Sequence, residues 1–161
     1  MRTIFLVAVA TVMAPAFAAP SVPMLPAAER AAIFKAAGAK LTHGKWLICA
    51  DDPQAAGATI DEVRDINGDG RPEAVVSEGG SFCYGATGTG FTLLSKQANG
   101  SWLKITDDVG IPQFLSTKGI GGWPDLSIGG PGFCFPVQRW NGKAYMVNRF
   151  EYEGRSCRPS H

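Results

Sequence analysis

Apolar residues along this chain fall in short runs, each closed by glycine, proline or asparagine. Lys45 to Cys49, Glu73 to Ser77, Phe91 to Lys96, Trp102 to Thr106, Val137 to Trp140 and Tyr145 to Phe150 have the length of strands and fall short of a core helix. Thr59 to Arg64 forms a further extended stretch. Asn99-Gly100 and Asn141-Gly142 each lie between two such runs, which is the strongest short-range signal for a hairpin. Helix chemistry is confined to Ala27 to Ala37, where alanines dominate, Ile33, Phe34 and Ala37 share a side, Glu29 lies near the start, Lys35 near the end, and Gly38 offers a C-cap. The pattern predicts an all-β domain, an antiparallel meander, with one N-terminal helix.

A repeat runs beneath this pattern. Gly70-Arg71-Pro72-Glu73-Ala74-Val75-Val76 aligns with Gly122-Trp123-Pro124-Asp125-Leu126-Ser127-Ile128, each is followed by a glycine pair, and then by Phe82-Cys83 and Phe133-Cys134 respectively. Two degenerate, propeller-blade-like units are therefore expected, neither large enough to bury its apolar face alone.

Composition adds a compartment. Met1-Arg2-Thr3, the apolar run Ile4 to Met13 and the small residues up to Ala18-Ala19 form the three parts of a secretory leader over residues 1–18, with cleavage expected after Ala18. The run is too short for a retained membrane span. A proline-rich linker, 19–26, then leads into a single domain over 27–158, and the destination expected is the periplasm. The formal net charge is +1, and loss of Arg2 brings it to about zero, which argues against nucleic acid or an anionic membrane as partner. In an exported chain the four cysteines, Cys49, Cys83, Cys134 and Cys157, are expected in disulfides. Three connectivities are possible; equivalence of the two units favours Cys49–Cys83 with Cys134–Cys157.

The most specific stretch is Asp65-Ile66-Asn67-Gly68-Asp69-Gly70-Arg71-Pro72-Glu73. Oxygen-bearing side chains at alternate positions (Asp65, Asn67, Asp69), a glycine where the chain must turn (Gly70), the Arg71 carbonyl and Glu73 make a ligand set for calcium, a hard cation that takes six to eight oxygens. An EF-hand would need a glutamate where Val76 stands and helices on both sides, so that motif is excluded. The loop resembles the calcium turns of FG-GAP and VCBS repeats, and all of their marked positions match before an apolar strand. In the second unit glycines, Gly119, Gly121 and Gly122, replace these ligands, so one metal site is expected.

No catalytic residues are expected. His43 stands alone, His161 is the last residue, and no cysteine is spared from a disulfide for a nucleophile. Over most of the mature chain the order of helix, calcium turn, "CYG", "GGWPD", "GGPGFCFPV" and "RWNGK" is similar to small exported proteobacterial proteins related to periplasmic lysozyme inhibitors and immunity proteins against peptidoglycan hydrolases. That resemblance implies a calcium-stabilised protein-binding role, with inhibition of a cell-wall hydrolase as its sharpest form. The alternative is a calcium-dependent glycan- or protein-binding module without inhibitory activity. The segment from Lys118 to Pro136, with Trp123, Phe133 and Phe135, is the expected partner-binding stretch.

Overall fold

The structure is a computed structural model and describes residues 25–159. The predicted leader, its cleavage point and most of the proline-rich linker lie outside the described residues. The first unit is a sheet of four strands, β3 (Thr59–Arg64), β4 (Glu73–Gly79), β5 (Thr89–Lys96) and β6 (Trp102–Val109), in sequence order. The second contains β7 (Ile111–Lys118), β8 (Pro124–Gly129), β9 (Phe135–Trp140), β10 (Tyr145–Tyr152) and the short β11 (Arg155–Ser156), again in sequence order. Every pairing in both sheets is antiparallel. The two units are thus the same meander traced twice, β3 to β6 and β7 to β10.

Gly110 alone separates β6 from β7. Its φ is +148°, and a Cβ there would lie 2.4 Å from the Ile128 side chain and 2.7 Å from the Gly129 carbonyl oxygen. The chain can pass from one sheet to the other at this point because the residue has no side chain.

The strand parity of β4 explains its unbroken apolar run. Val75, Phe91 and Leu93 face the second sheet, where Trp123, Leu126, Ile128 and Tyr145 join them in one core. Ala74, Val76 and Leu94 point the other way, into a second core closed by Ile33, Phe34 and Ala37. These come from α1 (Ala27–Ala36) and the residue that follows it, helped by the hairpin of β1 (Lys40–Thr42) and β2 (Lys45–Leu47). A central sheet covered on both faces needs apolar residues at successive positions. Phe34 stacks on Trp46 with ring centroids 5.4 Å apart. The helix ends at Gly38, φ +88°, where the Ala39 N–H reaches the Phe34 carbonyl and the Gly38 N–H that of Lys35, a Schellman closure. Glu29 anchors it by accepting from the Trp102 indole N–H at 2.9 Å and from Lys96.

The two Asn-Gly turns lie where expected, with Lys96 opposite Trp102 and Trp140 opposite Tyr145. Among the features that differ from expectation are β7 and a short helix. β7 is a full strand, hidden in the sequence by Pro112 and broken alternation; it is the outer strand of its sheet, where a missing N–H costs little. A short helix, α2 (Ser81–Tyr84), carries Cys83. Among the described residues no helix is long and apolar enough to cross a membrane.

Candidate functional site

The turn between β3 and β4 is wound by its own side chains. The Asp65 carboxylate accepts from the backbone N–H groups of Gly68 (2.7 Å), Asp69 (3.2 Å) and Gly70 (2.9 Å). The Asn67 side-chain oxygen takes the Asp69 N–H at 2.8 Å, and Asp69 takes the Arg71 N–H at 2.8 Å and its guanidinium at 2.5 Å. Gly68 and Gly70 have φ of +84° and +85°, as such a tight winding requires. The amides aimed at Asp65, that of Gly70 foremost, hold its carboxyl below the usual carboxylate range.

Glu73 closes the turn from inside. It is fully buried and accepts from the Ile66 N–H (2.8 Å), the Asn67 N–H (3.3 Å) and the Ser95 hydroxyl (2.8 Å). All of these donors are neutral, so burial dominates and pushes its carboxyl above the usual range. The donor set of the turn, Asp65, Asn67 and Asp69 side chains with the Arg71 carbonyl, is all oxygen and suits a hard cation. Among the described residues no three His, Cys, Asp or Glu side chains converge as a ready-made cage, because Glu73 is turned to the interior and Asp69 is held by Arg71.

The corresponding turn of the second unit, Ile120–Gly122, is kinked at Gly121 (φ +66°) and is closed by the Gly119 N–H on the Trp123 carbonyl at 2.7 Å. Here the buried acid is Asp125. It accepts from Nε and one Nη of Arg139, each at 2.8 Å, from Arg149 at 2.5 Å and from the Thr117 hydroxyl at 2.6 Å. Arg149 also pairs with Glu151. Arg139 first, then Thr117 and Arg149, outweigh burial and hold the Asp125 carboxyl well below the usual range.

The two turns touch. A Cβ on Gly122 would lie 2.3 Å from the Asn67 carbonyl oxygen, and Ile66 belongs to the same core as Trp123. Tyr145 feels both buried acids and donates its hydroxyl to the Pro124 carbonyl at 2.9 Å. Burial raises its phenol, and the charges of Asp125 and Glu73 raise it further.

Both disulfides join the expected partners, Cys49 to Cys83 and Cys134 to Cys157. Glu78 supports the first. It is nearly fully buried and accepts from the Ile48 and Cys49 N–H groups and from the Tyr84 hydroxyl, so one carboxylate fixes the backbone before Cys49 and the residue after Cys83. Two disulfides fit a protein matured in an oxidising compartment.

The expected partner-binding residues divide. Phe133 is 78% exposed, with its ring edge-on to Tyr152; Phe135 is half-buried beside the same tyrosine. Lys118 is exposed and lines a groove of about 500 Å³ with Gly119, Ile120, Arg139, Trp140 and Met146. Trp123 differs from expectation. It is 8% exposed and packed against Trp140 and Tyr145, with centroids 5.5 and 6.2 Å away, because the turn folds it back into the core shared by both sheets. Sequence reasoning missed Thr117, Arg139 and Arg149 as partners of Asp125. The one local signal was an acid at the entry of an apolar strand in both units.

No known protein family, curated protein or solved structure matches the chain.

Proposed function

We propose that the protein is an exported, calcium-stabilised binding protein of the periplasm that acts on another protein, in its sharpest form as an inhibitor of a peptidoglycan hydrolase or lysozyme. The observation that carries the binding role is Phe133. A large aromatic side chain left 78% exposed on a loop tied by Cys134–Cys157 is placed to enter a partner at little ordering cost. The hydrolase as target rests on the motif order alone. Calcium is supported by the all-oxygen donor set of Asp65, Asn67, Asp69 and the Arg71 carbonyl on a turn already wound by its own amides. A bound cation would add charge to fix that turn between β3 and β4, with Glu73 holding the backbone behind it.

The test mixes the mature chain with lysozymes and periplasmic muralytic enzymes and measures cell-wall lysis, with Phe133→Asp as the control. Loss of lysis with the wild type and its recovery with the variant is the expected result; unchanged lysis across the panel would remove the inhibitor reading. Calorimetric titration of calcium into chelator-treated protein, with Asp69→Ala beside it, tests the metal separately, and absence of heat in the wild type would remove calcium.

A further inference from the structure

The groove beside Lys118 has a composition of its own. It is formed by the end of β7, the turn after it and the adjoining ends of β9 and β10. Ile120, Met146 and Val147 each expose more than half of their surface there, over the half-buried ring of Trp140. Met146 and Val147 are consecutive and both exposed, and β10 bulges directly after them: Val147 pairs with Gln138, Arg149 with Val137, and Asn148 is the extra residue.

Its charge is one-sided. Lys118 and Arg139 line it and no acidic side chain does. Among the described residues Lys118 has no ion pair. The nearby Asp125 is wholly buried and shared between two guanidiniums, and Glu151 is taken by Arg149. The Arg139 side chain, fixed by Asp125, is still 41% exposed, so a cation is presented in a set orientation without being free to collapse onto a neighbour.

We propose that this groove docks an acidic peptide segment of the protein partner, with Lys118 and Arg139 meeting its carboxylates and Ile120, Met146 and Val147 receiving an adjacent apolar side chain. Cations on one side and apolar surface on the other complement a chain segment that carries both. Methionine suits such a surface because its thioether adapts to different side chains. A sugar is less well served. Trp140 is tilted against Trp123 and Tyr145, and the Asn141 side-chain oxygen is already occupied by the Lys143 and Ala144 N–H groups. The proposal rests on the protein-binding reading above, and it names the partner's chemistry and the surface it meets.

The test titrates isotope-labelled mature protein with the blocked tetrapeptide acetyl-Glu-Leu-Asp-Phe-amide, with its counterpart acetyl-Lys-Leu-Lys-Phe-amide, and with chitotetraose, following amide and methyl NMR signals. The acidic peptide is expected to shift Lys118, Ile120, the Trp140 indole and Met146, less at high salt. Lys118→Glu should weaken it by about fivefold or more, and Met146→Asp should weaken it too; both positions are exposed, so the spectrum reports an intact fold. Equal response to both peptides, a stronger response to the sugar, shifts elsewhere, no shift, or no effect of Lys118→Glu would each overturn the proposal. A groove that binds the acidic peptide in a protein that inhibits no hydrolase would overturn the inhibitor reading and leave this one standing.

Discussion

Glu73 and Asp125 occupy the same position in the two units, both are wholly buried, and their carboxyls are displaced in opposite directions. The cause is the cross-strand neighbour. Glu73 pairs with Ser95; Leu126 pairs with Gln138, which sets Arg139 beside Asp125. A hydroxyl leaves burial as the larger effect, and a guanidinium fork reverses it. Among the described residues, one unit therefore carries an acid with no ion pair and the other an acid with two.

Asp125 should govern acid sensitivity. Its folded-state carboxyl titrates below the unfolded value of about 3.9, so its stabilisation is complete above that pH and is lost as pH falls from there through the folded value. Asp125→Asn should cost about 2 kcal/mol at neutral pH, less than a fully enclosed pair because both arginines reach solvent. Urea unfolding from about pH 7 down to about pH 2 should show a fall in wild-type stability that the variant lacks. Parallel curves would contradict the assignment.

Glu73 should behave in the opposite sense. Its folded-state carboxyl titrates above the unfolded value of about 4.3, so its contribution is greatest below that value and is lost as pH rises through the folded one. In chelator at neutral pH, Glu73→Gln keeps an acceptor for the Ile66 and Asn67 N–H groups and removes the buried charge, so its stability should equal or exceed that of the wild type. Glu73→Ala strands those donors and should lose about 1–3 kcal/mol. Denaturant midpoints of the three proteins decide the matter, and equal losses for both variants would exclude it.

The disulfides close chain segments of 34 and 23 residues. On the chain-entropy account each stabilises by about 3–4 kcal/mol, slightly more for the longer. Cys83→Ser with Cys49→Ser, and Cys134→Ser with Cys157→Ser, should lower the unfolding free energy by similar amounts. The second pair should also cost Phe133 its fixed setting, so any partner affinity should fall further for that variant than its stability change implies.

Much of this was legible in the chain because it depended on local chemistry. The β4 and β5 runs, the Asn-Gly hairpins, the Gly38 helix stop and the cysteine pairing by equivalent position are all set by nearest neighbours or by the repeat. β7 was illegible because Pro112 is tolerated only on an outer strand, and which strand is outermost is a property of the finished sheet. Trp123 was misplaced for a similar reason: its burial depends on a turn that folds back against Asn67. The Asp125 cluster joins side chains from β7, β8, β9 and β10, and Arg149 enters it through a bulge that shifts register after Val147. No spacing in sequence encodes that meeting.

The contact between the two turns supplies the last prediction. Gly122 and Gly68 both have positive φ, +78° and +84°, but a Cβ on Gly122 meets the Asn67 carbonyl at 2.3 Å whereas one on Gly68 meets nothing within 4 Å. Gly68→Ala should therefore cost only the backbone strain, about 1–2 kcal/mol. Gly122→Ala carries the same strain and forces two backbone segments apart, adding roughly 1–3 kcal/mol. Because the obstruction lies in the other unit, Gly122→Ala should also displace the amide signals of Ile66, Asn67 and Gly68, far away in sequence. Thermal and urea unfolding of both variants, with amide spectra of Gly122→Ala, test the point. Equal costs and an unperturbed first turn would mean that the two units meet only through their apolar core.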